Sequence, residues 1–247
     1  MYYLYLFILP LLFLPHANAG STDTIRLATY LEPPMVDKVN NRYVGKNIEV
    51  VKLLAKNLKK KILFIPCPAA RCLLLLKRGQ ADMMISVRKT PERERYLSFI
   101  SPPFFTQHFP LRFFINSNND LHIDNYQDLT PLSIGVIRGS SYFDRFDHDN
   151  QLTKVEVSSR EQLVHMLLKN RIDTFIEREE SVVSWLPESQ YKKAFRLANY
   201  QYDRSVDSYI AIAKRSPLQQ ELPQLSATLA RLVDTGVIGK ILDKEDK

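Results

Sequence analysis

One pattern is written twice along this chain: a short apolar strand-like run, a helix-length amphipathic stretch, then another apolar run. In the first copy, Thr24 to Thr29 alternates Ile25 and Leu27 as a strand does and stops at Glu32-Pro33-Pro34. From about Asn47 the period changes, and Ile48, Val51, Leu54 and Leu58 fall on one helical face. Ile62-Leu63-Phe64-Ile65 reads as a buried strand, Ala69 to Arg78 as a helix stopped by Gly79, and Met83-Met84-Ile85 as the next strand. The second copy has strands at Leu132 to Ile137 and Lys154 to Val157, a helix at Ser159 to Asn170 and a strand at Ile172 to Ile176. Alternation at these lengths predicts an α/β fold of two units, each a mostly parallel sheet flanked by helices. A chain of 247 residues with 45% apolar content has the material to bury two such cores.

The copies also share wording. Leu75 to Ile85, a helix end, a basic turn, Asp82 and a strand, is echoed by Leu167 to Ile176 with Asp173 in the place of Asp82. The match is short, so a repeated lobe and chance agreement both account for it. Leu111 to Ile115 and Tyr209 to Ala213 are strands beside polar segments. Taken as two hinge strands, they divide the chain into a first lobe of residues 20–110 and 210–247 and a second of 111–209. The last helix, Leu218 to about Leu232, then returns to the first lobe, and a ligand belongs in the cleft between them.

Tyr2 to Pro15 is almost unbroken apolar sequence, followed by His16-Ala17-Asn18-Ala19. That reads as a secretory signal peptide, residues 1–19, cut after Ala19, although no Lys or Arg precedes the apolar run. An uncleaved anchor is the alternative, but it needs about 20 apolar residues to span a bilayer. The net charge of +7 is compatible with nucleic acid, an acidic surface or an anionic ligand. Lys59-Lys60-Lys61 is a short run among otherwise scattered cations, and export removes the chain from cytosolic partners, so no nucleic acid is expected. Cys67 and Cys72 are the two cysteines, and in an oxidising compartment a short-loop disulfide leads over free thiols. His108, His122, His148 and His165 show no ligand spacing relative to them, so no metal site is predicted. No cofactor motif is present either.

The segment richest in chemistry is Ser86-Val87-Arg88-Lys89-Thr90-Pro91-Glu92-Arg93, directly after a strand. Thr90 suits a helix N-cap and Pro91 the first helical position, which puts Arg93 in the first turn at the C-terminal edge of a sheet. Free backbone N–H groups and a guanidinium can converge there on one carboxylate or phosphate. The alternative is a surface ion pair of Arg93 with Glu92, Glu94 or Glu49.

Tyr30 to Pro34, Val44-Gly45-Lys46-Asn47-Ile48, Arg71, Gly79-Gln80-Ala81-Asp82, Thr90-Pro91-Glu92-Arg93 and Ser101-Pro102-Pro103-Phe104-Phe105 follow one another in an order that resembles a known family. It is that of the periplasmic solute-binding proteins of polar amino-acid uptake systems, family 3. The resemblance covers essentially the whole chain after residue 19 and implies the two-lobed periplasmic-binding-protein-like fold. It also implies that Arg93 grips a ligand carboxylate, that backbone groups at Ser86 and Arg88 help, and that Tyr30 packs on the ligand. Ser140 and Ser141, in the turn Gly139-Ser140-Ser141, would add donors from the second lobe.

Departures from the family pattern bear on the ligand. Where such proteins place an Asp for the ligand's ammonium, this chain has Arg178, flanked by Glu177 and Glu179. Arg178 in the cleft would favour a second anionic group, whereas an inward Glu177 or Glu179 would still accept an ammonium. Arg88 stands where a small hydroxyl residue is usual, and Arg71, between the cysteines, is a candidate third cleft arginine.

The function expected from these residues is that of a binding protein, not an enzyme. It would close on a small anionic or amino-acid-like ligand for ABC-type uptake and present its closed form to a membrane transporter. A secreted enzyme of the cyclohexadienyl dehydratase type, with Glu177 or Glu179 as general acid, is the alternative in a different class. A ligand sensor that docks on a receptor is another.

Overall fold

The computed structural model describes residues 23–183, 186 and 188–244, so the apolar leader read as a signal peptide lies outside the described residues. The first part of the chain runs through β1 (Thr24–Thr29), the hairpin β2 (Asp37–Val39) and β3 (Arg42–Val44), and α1 (Lys46–Asn57). It continues with β4 (Lys61–Pro66), α2 (Ala69–Lys77), β5 (Met83–Val87), α3 (Pro91–Glu94) and β6 (Leu97–Gln107). Next come β7 (Leu111–Asn116), β8 (Ser133–Ile137), α4 (Asp144–His148), β9 (Thr153–Val157) and α5 (Arg160–Leu168). They are followed by β10 (Thr174–Arg178), α6 (Glu179–Val183), α7 (Glu188–Ala194) and β11 (Phe195–Tyr202). The chain closes with β12 (Val206–Ala213), α8 (Leu222–Asp234) and α9 (Val237–Leu242).

Two five-stranded sheets result, in the orders β4-β1-β5-β12-β6 and β11-β7-β10-β8-β9. In each, three strands pair in parallel and two join antiparallel: β4, β1 and β5 then β12 and β6, against β9, β8 and β10 then β7 and β11. The two sheets therefore share one topology. The inner parallel strand β5 is apolar and buried at nearly every position, as expected of a strand covered on both faces, whereas the edge strands β4 and β9 carry charged, exposed residues. In the first sheet, Leu27 packs with Val51 and Leu54 of α1 and Leu229 of α8, while Ala28 and Met84 face Leu76 of α2. In the second, β7 splits by alternation: Phe113 and Ile115 join Tyr126 and Phe146, and Phe114 stacks on Phe175 at 4.6 Å above α5.

The echoed phrases occupy equivalent places, α2 to β5 in one sheet and α5 to β10 in the other. Their aspartates do the same work. Asp82 accepts from the Arg26 backbone N–H at 2.8 Å, and Asp173 from the Ser133 N–H at 2.7 Å, each tying the central strand of its sheet, which the aspartate precedes, to its parallel neighbour. Asp82 is the more embedded, taking further bonds from the Arg26 guanidinium and from Ser216 Oγ at 2.6 Å. Burial alone would raise its carboxyl, but hydrogen bonds from Arg26 and Ser216 outweigh it and hold the group below the ordinary carboxylate value. A depressed folded-state value stabilises the fold above the unfolded value of about 3.9, and that contribution is lost as pH falls through the folded one. Asp82→Asn is therefore expected to lower unfolding stability by about 1.5–3 kcal/mol at pH 7 in urea melts. The gap from the unaltered protein should narrow as pH drops below about 4.

The motif Ser101-Pro102-Pro103 lies inside β6, an edge strand paired on one side alone. The register jumps from Ser208↔Phe105 to Ile210↔Ile100, so the prolines sit in a bulge where no ladder donor is needed. Val206 to Ser208 pair with β6 in the first sheet, although the sequence division put them in the second lobe. The strands β7 and β12 each belong to a sheet, and the chain crosses between sheets in the short connections 108–110 and 203–205. The helix expected from Leu218 is a 3-10 turn, Pro217–Glu221, before α8 proper.

Candidate functional site

A cleft of about 1200 Å³ separates the two sheets' domains. Its floor is the exit of β5. Ser86 there has φ 61, a left-handed backbone that a serine adopts at a cost, and its Oγ accepts from Asn47 Nδ2 at 2.8 Å. Strain of this kind turns the chain sharply so that Arg88 and Arg93 return toward the cleft. Thr90 caps the short α3 by accepting from the Arg93 N–H at 3.3 Å, with Pro91 at the first turn. The cap fixes where the Arg93 side chain begins.

Arg93 is buried, with 9% of its surface exposed. Its Nη1 donates to the Arg88 carbonyl at 2.9 Å and its Nη2 to the Gly139 carbonyl of the opposite lobe at 2.8 Å. The surface ion pair weighed for it does not form, since Glu94 pairs with Lys89 and Glu49 with Lys244. Arg88 Nη1 likewise crosses the cleft to the Ser141 carbonyl at 3.0 Å. Burial pulls both guanidinium pKa values down; for Arg88, Asp147 opposes this while Arg178 and Arg93 add to it. An arginine starts high enough to stay cationic at neutral pH regardless.

The facing turn is rigid. Ser141 Oγ donates to Asp147 at 2.7 Å and the Tyr142 N–H to the same carboxylate at 3.0 Å, so the Ser141 hydroxyl is spent on its own loop while its carbonyl meets Arg88. Gly139 has φ 83, and a Cβ on it would lie 2.7 Å from Ala70 Cα, so here the backbones of the two lobes touch. This is a closed arrangement.

A second bridge closes the other wall. Arg160, at the start of α5, reaches Glu32 at 2.7 Å and lies 3.3 Å from Glu177, the latter contact lacking hydrogen-bond alignment. Burial would weaken the Arg160 charge, but Glu177 and Glu32 more than offset it and its pKa is raised. Burial, then the Glu32 carboxylate, pushes the neighbouring Tyr30 phenol well above its ordinary value.

Tyr30, Ser86, Arg88 and Arg93 line the cleft from one side, and Ser140, Ser141, Glu177 and Arg178 from the other. Glu179 turns away to the Tyr191 hydroxyl at 2.8 Å. Arg71 is the correction: it is exposed on α2 and outside the cleft lining, because Cys72 and Leu76 take the core face of that helix and Ala69 and Leu73 the cleft face. Cys67 and Cys72 form a disulfide with Cα atoms 5.3 Å apart, anchoring the start of α2 beside the cleft. Sequence reasoning missed Glu32, Arg160 and the carbonyl of Gly139, whose roles exist through partners on the opposite lobe.

Two lobes of equivalent topology, closed by hydrogen bonds over a cationic cleft, define a solute-binding protein of the two-lobed class. The chain belongs to the bacterial extracellular solute-binding proteins, family 3, which it matches over residues 25–244. Its fold is similar to that of an ancestral arginine-binding protein bound to arginine, with 22% identity and a TM-score of 0.74 over 90% of this chain and 97% of the other. A substrate-binding protein of an amino-acid ABC transporter from Streptococcus pneumoniae, bound to L-arginine, has 18% identity and a TM-score of 0.73 over 90% and 93%. An ancestral amino-acid-binding protein described as a precursor of cyclohexadienyl dehydratase has 19% identity and a TM-score of 0.71 over 91% and 96%. Among curated proteins there is no significant match. No helix of the described residues is long and apolar enough to cross a membrane.

Proposed function

We propose that the protein is the periplasmic binding component of an ABC-type uptake system, closing on a small anionic or amino-acid-like ligand and presenting its closed form to a membrane transporter. The observation that carries this reading is the cleft-floor guanidinium of Arg93 held 2.8 Å from the Gly139 carbonyl of the facing lobe. A buried cation bonded to carbonyls alone keeps most of its charge for an anion. In this reading the connections 108–110 and 203–205 flex, and residues 206–244 move with the first lobe. Export through the N-terminal apolar run, with cleavage after Ala19, delivers the protein to the compartment where Cys67 and Cys72 oxidise.

A thermal-shift screen of amino acids, dicarboxylates and aromatic acids tests the proposal, because a ligand at about 100 times its Kd adds about 2.7 kcal/mol of apparent stability. At least one class is expected to raise Tm by several degrees, and a flat profile across all of them would sink the reading. The dehydratase alternative loses two of its proton donors here, since Glu177 pairs with Arg160 and Glu179 with Tyr191. Glu180, at the cleft rim with its carboxyl pushed up by partial burial, is the one that keeps it alive. Incubation with prephenate or arogenate should yield no phenylpyruvate or phenylalanine; their appearance would replace binding with catalysis.

A further inference from the structure

The charge balance inside the cleft narrows the ligand further, given the binding reading above. Four guanidiniums line the cleft, and with Arg160 answered by Glu32 and Glu177 those of Arg88, Arg93 and Arg178 are left. Arg93 commits two N–H groups and Arg88 one, in each case to a backbone carbonyl, which satisfies a donor and leaves the charge uncompensated. Arg178 has its Nε buried with no hydrogen-bond partner, and among the described residues its guanidinium joins no ion pair. Arg88 feels the positive charge of both of the others.

The carboxylates of the cleft do not cancel this cluster. Glu32 and Glu177 are engaged by Arg160, Asp37 accepts from the Lys38 N–H on the β2–β3 hairpin, and Glu161 is exposed. Asp147 is turned to Ser141 Oγ and the Tyr142 N–H. Glu180 stands at the rim, where partial burial pushes its carboxyl up, and among the described residues it forms no ion pair with Arg178. Three like charges drawn together in a partly desolvated space are costly unless a ligand neutralises them. A zwitterion brings one negative group and then places an ammonium among arginines whose nearby carboxylates are already engaged.

We infer that the ligand is a small molecule with two anionic groups and no ammonium, such as a dicarboxylate or a phosphorylated carboxylic acid, one group on Arg93 and Arg88 and the other on Arg178. Arg178 is then the specificity-determining residue of the cleft.

Calorimetric titration of the purified protein with glutarate and phosphoglycolate, against L-glutamine and L-arginine as zwitterionic or cationic controls, tests this. The expected result is that one of the two dianions binds at least about tenfold more tightly than either amino acid, the size of one lost charge contact. Arg178→Gln should weaken that dianion by about tenfold or more, and Arg178→Lys should restore part of the loss, which a mere folding defect would not allow. An unchanged dianion Kd in Arg178→Gln overturns the role of Arg178. Tighter binding of an amino acid than of both dianions, abolished by Arg93→Ala, overturns the dianion class while the binding reading stands. Binding of none of the four overturns both.

Discussion

Arg93→Ala is expected to yield a folded protein whose melting temperature no longer responds to any ligand that stabilises the unaltered chain. The side chain is buried, and its two donors hold the Arg88 carbonyl beneath it and the Gly139 carbonyl across the cleft. Truncation thus removes the anion's main cation and one of the bonds that shut the lobes. Losing one member of a buried, hydrogen-bonded charge pair costs about 2–5 kcal/mol, which is roughly 30-fold to several-thousand-fold in Kd. Arg93→Lys should recover little, because an ammonium on a flexible stem cannot span two carbonyls and a carboxylate as the planar fork does. Thermal shift with and without ligand, followed by calorimetry, reads the effect. An undiminished ligand-induced shift in the alanine variant would remove the foundation of the binding proposal.

The second large effect is steric. A Cβ at Gly139 would stand 2.7 Å from Ala70 Cα and 2.8 Å from Ala70 N, backbone atoms at the start of α2 that have little room to retreat. Gly139→Ala should therefore wedge the lobes apart. The residue's φ of 83 adds a local penalty of about 1–2 kcal/mol for any L side chain, which complicates that variant alone. Ala70→Leu approaches the same contact from the other lobe without that penalty, its Cβ already lying 2.9 Å from the position in question. Both should raise the radius of gyration of the ligand-saturated protein in small-angle scattering. Each should weaken binding by about 5- to 150-fold, the equivalent of 1–3 kcal/mol of overpacking. Wild-type affinity in both would mean that the contact between Gly139 and Ala70 is incidental to ligand capture.

Much of the first lobe's chemistry is readable in the chain because it is local. The Thr90-Pro91 start signal places Arg93 in a first helical turn whatever surrounds it, and the position after an apolar strand directs it to the sheet's C-terminal edge. The paired phrases around Asp82 and Asp173 are legible for the same reason, since each ties a strand to its parallel neighbour through a turn-start carboxylate. That Ser101-Pro102-Pro103 lies within a strand is not legible in the chain, because a strand admits proline at an edge or a bulge and nothing in the local letters says that β6 is an edge. Arg71 and Arg160 show the limit most directly. Both sit near the start of a helix, yet Arg71 faces solvent while Arg160 bridges Glu32 and Glu177.

The order of apolar runs, caps and breaks determined by itself that the chain would form two α/β halves and that an arginine would end at the exit of β5. Only the tertiary structure decided which charges share the cleft, which of them are already answered by a partner, and that Gly139 abuts Ala70. Arg160 and Glu32 are 128 positions apart, and attraction between charges depends on distance in space and on the solvent excluded between them. Neither quantity exists until the two lobes have packed and met.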